Sequence, residues 1–319
     1  MSEVTTATPV VVKPQSQRRR VTTLDRMWRS LLKAKFPLVA LVILGAIIIL
    51  AVGAPTFSPY DPNAMDLSVR LLPPAFAEGG NPAYPLGTDG MGRDVLSRLI
   101  FGARVSLIVG FTAVFVAGTI GVTLGVIAGF FGGKVDDVIM RLADIQLAFP
   151  SILLAISVLA VLNAQRGVEV SNRTMLQNLM PLILTLGVSN WVTYSRMARS
   201  VTLSLREKEF VEAARALGDS KLSIMFRNIL PNSLAPLIVL GSFNVASTIL
   251  AEASLSFLGL GVPPAVPTWG GMLAESREML ITGVWWLATI PGLAIMITVI
   301  SINIIGDWLR DFYDPRLRN

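Results

Sequence analysis

The residues best placed to do chemistry lie between Glu209 and Asn232, in the run Glu-Phe-Val-Glu-Ala-Ala-Arg-Ala-Leu-Gly-Asp-Ser-Lys-Leu-Ser-Ile-Met-Phe-Arg-Asn-Ile-Leu-Pro-Asn. Phe210, Ala213, Ala214 and Leu217 recur at helical spacing and predict a helix with a narrow apolar stripe. Gly218 supplies the left-handed residue that ends such a helix. Asp219 or Ser220 can cap a second helix, in which Leu222, Met225, Phe226 and Ile229 repeat the apolar pattern until Pro231 breaks it. The product is a short, hinged lug. Glu212 offers a carboxylate to an external Arg or Lys, and Ala213 and Ala214 are small enough to let another surface come close. That chemistry is recognition of a partner, not the making of bonds. The alternative is an amphipathic surface helix that binds nothing.

Asn244, Thr248 and Glu252 stand four residues apart and so share one side of a helix. Polar groups on a membrane helix are costly against lipid and point at the bundle or at a water-filled cavity. The stripe either lines a solute route or hydrogen-bonds between helices, with Glu252 close enough to the outer boundary to be solvated. Thr185, Ser189 and Thr193 form a weaker stripe of the same kind. Catalytic schemes are scarce. The chain has no cysteine and no histidine, which removes thiol nucleophiles, disulfides, Cys/His zinc sites and imidazole acid-base chemistry. It also has no GxxxxGK[ST] phosphate loop, so any ATPase is another polypeptide.

A bundle of apolar helices must position these segments. Of 319 residues, 53% are hydrophobic and 15% charged, and the mean hydropathy is +0.63, far above what a soluble domain needs. A bilayer core about 30 Å thick takes roughly 20 helical residues to cross. Six stretches qualify, running about Phe36 to Ala54, Val105 to Phe130, Ile145 to Leu162, Met175 to Tyr194, Leu234 to Ala253 and Val284 to Ile305. The fourth is diluted by Gln177, Asn178 and Asn190. Backbone amides in hydrocarbon need internal partners, and runs this long without strand alternation find them only as helices. The expected fold class is an all-α integral membrane protein with six transmembrane helices.

Lys and Arg set the orientation. With the amino terminus inside, 20 of the 27 Lys/Arg fall on inner segments, including Arg18-Arg19-Arg20 and the series from Arg196 to Arg227. Both termini, and the lug, are therefore expected in the cytoplasm. The net charge of +6 follows from the same loops, so the basic cluster reads as a topology anchor and nucleic acid is not an expected partner. The first span is expected to stay attached: a leader of some 35 residues and an apolar run of about 18 are long for a signal peptide. The expected organisation is a cytoplasmic segment 1–35, disordered at its start, a first transmembrane helix 36–54 and an outer connector 55–104. A core transmembrane domain 105–305 follows, carrying the cytoplasmic loop 196–232, and then a tail 306–319. The connector is rich in Pro and Gly and reads as irregular until Arg93, with a short amphipathic helix from Asp94 to Arg104. Gly121, Gly125, Gly129 and Gly133 recur every four residues and predict a helix-packing face.

Glu212-Ala213-Ala214, three residues, Gly218, nine residues and then Asn228-Ile229-Leu230-Pro231 resembles the hallmark of bacterial binding-protein-dependent permeases, with the Ile one place late. The resemblance extends to Ser58-Pro59-Tyr60-Asp61-Pro62, Leu86-Gly87-Thr88-Asp89, Gly92-Arg93-Asp94-Val95-Leu96-Ser97-Arg98 and Leu255 to Gly261. It also takes in Trp269-Gly270, Gly306-Asp307, Leu309-Arg310-Asp311 and Asp314-Pro315-Arg316. It covers nearly the whole chain from about Leu24 and is to the second permease of the ABC importers for dipeptides, oligopeptides and nickel.

That resemblance implies the type I ABC importer permease fold and a coupling helix seated in a cleft of the ATP-binding subunit. Glu212 would be its polar anchor and Gly218 its bend, with Ala213, Ala214, Leu217, Asp219, Leu230 and Pro231 in the same element. It implies a second, different permease chain as heterodimer partner and two ATP-binding subunits that hold ATP and Mg. A periplasmic or lipid-anchored solute-binding protein would dock on the connector and near Trp269. The implied activity is a passive gate in the bacterial cytoplasmic membrane, alternating between inward and outward access for peptides or a related small solute. A secondary transporter or channel without an ATPase is the competing class, but it calls for charges at mid-membrane and leaves the lug without a purpose. A membrane enzyme would lack His, Cys and clustered carboxylates.

Overall fold

The computed structural model describes residues 27, 29–32, 34–164 and 174–313. The Arg18-Arg19-Arg20 cluster, the disordered start expected for the amino terminus, Arg166, Arg173 and the Asp314-Pro315-Arg316 motif lie outside the described residues. The apolar runs satisfy their backbone amides as helices: α1 (Lys35–Val52), the short α2 (Ala54–Phe57), α3 (Val95–Phe131), α4 (Gly133–Leu147), α5 (Ser151–Ala164) and α6 (Met175–Leu205). Then come α7 (Glu209–Ala216), α8 (Lys221–Phe257), α9 (Trp269–Leu280) and α10 (Trp286–Tyr313). Among the described residues there is no strand, only an isolated bridge between Thr88 and Asp94.

Among the described residues four helices, α1, α3, α8 and α10, are long and apolar enough to cross a membrane, and α4 with α5 makes a fifth if the pair, bent by 86°, counts as one crossing. The single helix expected from Ile145 to Leu162 is therefore broken. The break falls at Ala148 to Pro150, where proline lacks the amide hydrogen that would extend the α4 ladder. Met175 to Tyr194 lies inside α6, whose 31 residues are ample in length but less apolar than those five.

α3 and α6 make the closest pairing in the bundle, and glycine is the cause. A β-carbon on Gly121 would sit 2.6 Å from Tyr194 Cβ, and on Gly125 and Gly129 it would sit 2.8 Å from the β-carbons of Ala198 and Thr202. Backbone thus lies on backbone. Gly133, expected on the same face, lies beyond the turn at Gly132 and opens α4 with nothing packed on it.

The amphipathic helix expected from Asp94 to Arg104 is not a separate element. It is the first turns of α3, capped by the Asp94 carboxylate, which accepts from the Ser97 amide at 2.7 Å. The expected boundary at 104/105 falls inside this continuous helix because Arg98 finds its counter-ions within the protein. Glu275 on α9 accepts from Nη2 of Arg98 at 3.0 Å and from Nη2 of Arg93 at 2.6 Å, while Asp89 accepts from Nε of Arg93 at 2.7 Å. Trp269 donates to the Leu99 carbonyl at 3.1 Å and Trp286 to the Thr88 carbonyl at 3.3 Å. The connector is therefore stapled to α3, α9 and α10, although its sequence reads as loop.

Candidate coupling site

At the far end of α3 from the connector, α7 and the start of α8 form the expected lug. Gly218 has φ +83°. Around it the Asp219 amide reaches the Ala214 carbonyl and the Gly218 amide the Arg215 carbonyl, both at 3.1 Å, the paired bonds of a Schellman turn. Of the two candidate caps, Ser220 acts: its hydroxyl accepts from the Ser223 amide at 3.2 Å.

Pro231 does not break the second helix. Residues Ile224–Ile229 form a wide π turn in which the Leu230 amide bonds to the Met225 carbonyl, and α8 continues through Pro231 to Phe257. A proline ring clashes with the carbonyl four residues back in a regular helix. The wider turn relieves that clash, so the helix carries on.

Burial divides the lug into two faces. Val211 and Ala214 point inward and pack with Ile224, Met225 and Ile229, and with Val126 of α3 and Ala198 of α6. Phe210, Ala213 and Leu217, expected on one stripe with Ala214, point outward instead, and Leu217 is 86% exposed. Leu222 and Phe226 (61% exposed) extend that outer surface, whereas Met225 and Ile229 are buried. Glu212 is exposed, and its carboxylate has no partner among the described residues. Asp219 and Pro231 are also exposed, and Leu230 is half-buried.

Sequence reasoning used Arg199 and Arg206 only to orient the chain and gave Asp136 no role, yet they clamp the bundle beside the lug. Arg199 donates to both Asp136 carboxylate oxygens at 2.5 Å, and Arg206 Nη1 donates to the Gly129 carbonyl at 3.0 Å. The available signal was opposite charges flanking spans on the same expected side. Val211 and Ala214, turned inward, join the lug to α3 and α6. The second helix of the lug is also the start of α8, whose 37 residues reach about 55 Å at 1.5 Å per residue.

Asn244, Thr248 and Glu252 do share one side of α8, but that side is packed. Ile249 beside them fills the space over Gly110 of α3, where a β-carbon would lie 2.7 Å from its Cγ1. Thr248 is buried and Asn244 half-buried. Glu252 is not solvated as expected; it is fully buried, accepting from Ser106 Oγ of α3 at 3.0 Å and from Ser256 Oγ at 2.8 Å. On α6 the expected stripe divides among environments: Thr185 is buried, Ser189 half-buried and Thr193 exposed. Among the described residues no group of three or more Asp, Glu, His or Cys is placed to hold a metal ion.

Residues 121–319 match the family described as binding-protein-dependent transport system inner membrane component, and residues 22–74 match the N-terminal TM domain of oligopeptide transport permease C. The chain is 40% identical to the di/tripeptide transport system permease protein DppC of Pseudomonas aeruginosa, over 93% of each. It is 41% identical to the dipeptide transport system permease protein DppC of Escherichia coli, over 93% of this chain and 95% of that one. With the glutathione transport system permease protein GsiD of Pectobacterium atrosepticum the identity is 37%, over 98% and 97%. The inward-facing MetNI methionine ABC transporter has a chain that superposes with a TM-score of 0.55 at 19% identity, over 69% of this chain and 98% of its own, a likeness of fold. On this evidence the chain belongs to the family of binding-protein-dependent transport system inner membrane components, as a membrane permease and not an enzyme.

Proposed function

We propose that the chain is one of two different permeases in an ATP-driven, binding-protein-dependent importer of short peptides, and that the lug is its socket for a separate ATPase. One observation carries this reading. Phe210, Ala213, Leu217, Leu222 and Phe226 lie exposed around Glu212, which has no partner among the described residues, on an element whose other face is locked into the bundle. An apolar patch rimmed by charge is the form of a protein contact, and rigid seating lets the contact transmit force.

In this reading the chain crosses the membrane six times with both termini in the cytoplasm. Two partner subunits hold ATP and Mg, and their closure pushes the lug. α8 carries the displacement, so that access alternates between the two sides. A periplasmic or lipid-anchored solute-binding protein delivers the cargo to the outer connector and the region of Trp269. The peptide cargo follows the names of the relatives, which include dipeptide, di/tripeptide and glutathione permeases.

The native chain has no cysteine, so a Leu217→Cys variant gives a unique thiol. In the assembled complex it should cross-link to the ATPase through a short bifunctional reagent, and dipeptide uptake should require ATP. The reading fails if the purified chain alone hydrolyses ATP. It also fails if a folded deletion of residues 212–218 still supports ATP-driven uptake.

A further inference from the structure

A cleft of about 260 Å³ opens between α5, α6 and α8, where Ser151, Ser189, Asn190, Ser247 and Ser254 share the wall with as many apolar side chains, and among the described residues no charged side chain lines it. Five hydroxyl or amide side chains gathered in one concavity, among helices otherwise apolar, are unsuited to lipid contact. Two further features bear on what the cleft can hold.

The first is the break between α4 and α5, which ends at Ser151. If the pair is one crossing, as its length and apolarity allow, irregular backbone within it persists only where it is buried in protein or lines a water-filled cavity. Gln146, just before the break, donates Nε2 to the Val188 and Ser189 carbonyls at 3.1 and 2.8 Å and accepts from Trp191 Nε1 at 2.6 Å. The break is thereby pinned against the residues of α6 that line the cleft.

The second is how the polar groups are spent. Ser247 and Ser254 donate to carbonyls of their own helix, at 3.1 and 2.8 Å, and Asn190 does the same at 3.0 Å. Their oxygens stay available as acceptors, while the Ser151 and Ser189 hydroxyls have no partner among the described residues. The wall therefore offers both donors and acceptors, all of them neutral.

We infer that this cleft, and not the Asn244, Thr248 and Glu252 side of α8, is where the chain touches its solute, and that it binds uncharged hydrogen-bonding groups such as the backbone amides of a peptide. This rests on the import reading above and adds to it the surface used and the chemistry recognised. A neutral wall does not sort cargo by side-chain charge.

The test uses single cysteines in the otherwise cysteine-free chain, within the full reconstituted complex. Ser247→Cys and Ser254→Cys change little in volume; Ile297→Cys, exposed on α10 and away from the cleft, is the comparison. A charged, membrane-impermeant methanethiosulfonate should label both serine positions in at least one of the nucleotide-free and ATP-trapped states and leave position 297 unlabelled. Labelling should cut uptake of radiolabelled alanyl-alanine at least tenfold. Unlabelled complex should take up alanyl-lysine and alanyl-aspartate at rates within about threefold, and Ser254→Asp should favour alanyl-lysine. Silence at both serines in every state, or normal uptake after labelling, overturns the inference while the import reading stands. Absence of ATP-driven uptake in the unmodified complex would instead overturn the import reading.

Discussion

Replacing Gly218 tests whether the lug depends on its turn geometry or on the bulk of its contact. At φ +83° an L-residue places its β-carbon against the following carbonyl oxygen, at a cost of roughly 1–2 kcal/mol. No atom lies within 4 Å of a β-carbon added there, so the cost is conformational and should not grow with the side chain. In Gly218→Ala the intact turn should lose about five- to thirtyfold in population relative to an opened one, the factor that 1–2 kcal/mol commands. Asn enters the left-handed region more readily than other non-glycine residues, so Gly218→Asn should recover part of the loss. Gly218→Leu should resemble Gly218→Ala. The assay is peptide-stimulated ATP hydrolysis by the complex in proteoliposomes, with subunit stoichiometry checked after purification. Activity in the order Gly, Asn, Ala and Leu together supports the turn. Activity that falls with side-chain volume, with Ala close to Gly and Leu far worse, would refute it and make bulk at the partner contact decisive.

Glu212→Arg should weaken association with the ATPase while leaving the melting temperature of the isolated permease unchanged, because the carboxylate is exposed and unpaired among the described residues; a fall in melting temperature would assign it a structural role. Gly125→Val forces a side chain between α3 and α6 and should destabilise by about 1–3 kcal/mol, read as a lower melting temperature in detergent, and an unchanged value would contradict the close backbone contact. Glu275→Gln leaves Arg98, itself 2% exposed, with only Asp89 at 3.6 Å. A loss of about 1–3 kcal/mol is expected, toward the lower end because the Glu275 side chain is 35% exposed, and equal stability in the variant would show the pair to be dispensable.

Much of the lug was legible because its signals are local. The left-handed glycine, the Ser220 cap and the helix on each side depend on neighbours within a few residues, and all three are found. Its burial was not legible. Phe210, Ala213, Ala214 and Leu217 fit a helical stripe as well as Val211 and Ala214 do, and only contact with Ile224, Met225 and Ile229 decides which set turns inward. The two prolines were misjudged in opposite senses. Pro231 reads as a stop, yet a wider turn absorbs it. Pro150 sits within an apolar run that reads as continuous, and there the helix does break.

The sequence by itself determined that this is a bundle of membrane helices with a two-helix lug between two of them, since apolar run length, backbone hydrogen bonding and a left-handed glycine allow little else. It also determined which side of α3 can be packed closely, because glycine every fourth residue leaves one side of a helix bare, although not that α6 is the helix that fills it. Only the tertiary structure decided which polar residues face a cleft. Glu252 is held by Ser106, 146 positions away in the chain, while Ser247 and Ser254, one step round the same helix, stand open. Periodicity specifies which residues share a face of a helix, whereas what that face meets is set by helices brought together from distant parts of the chain.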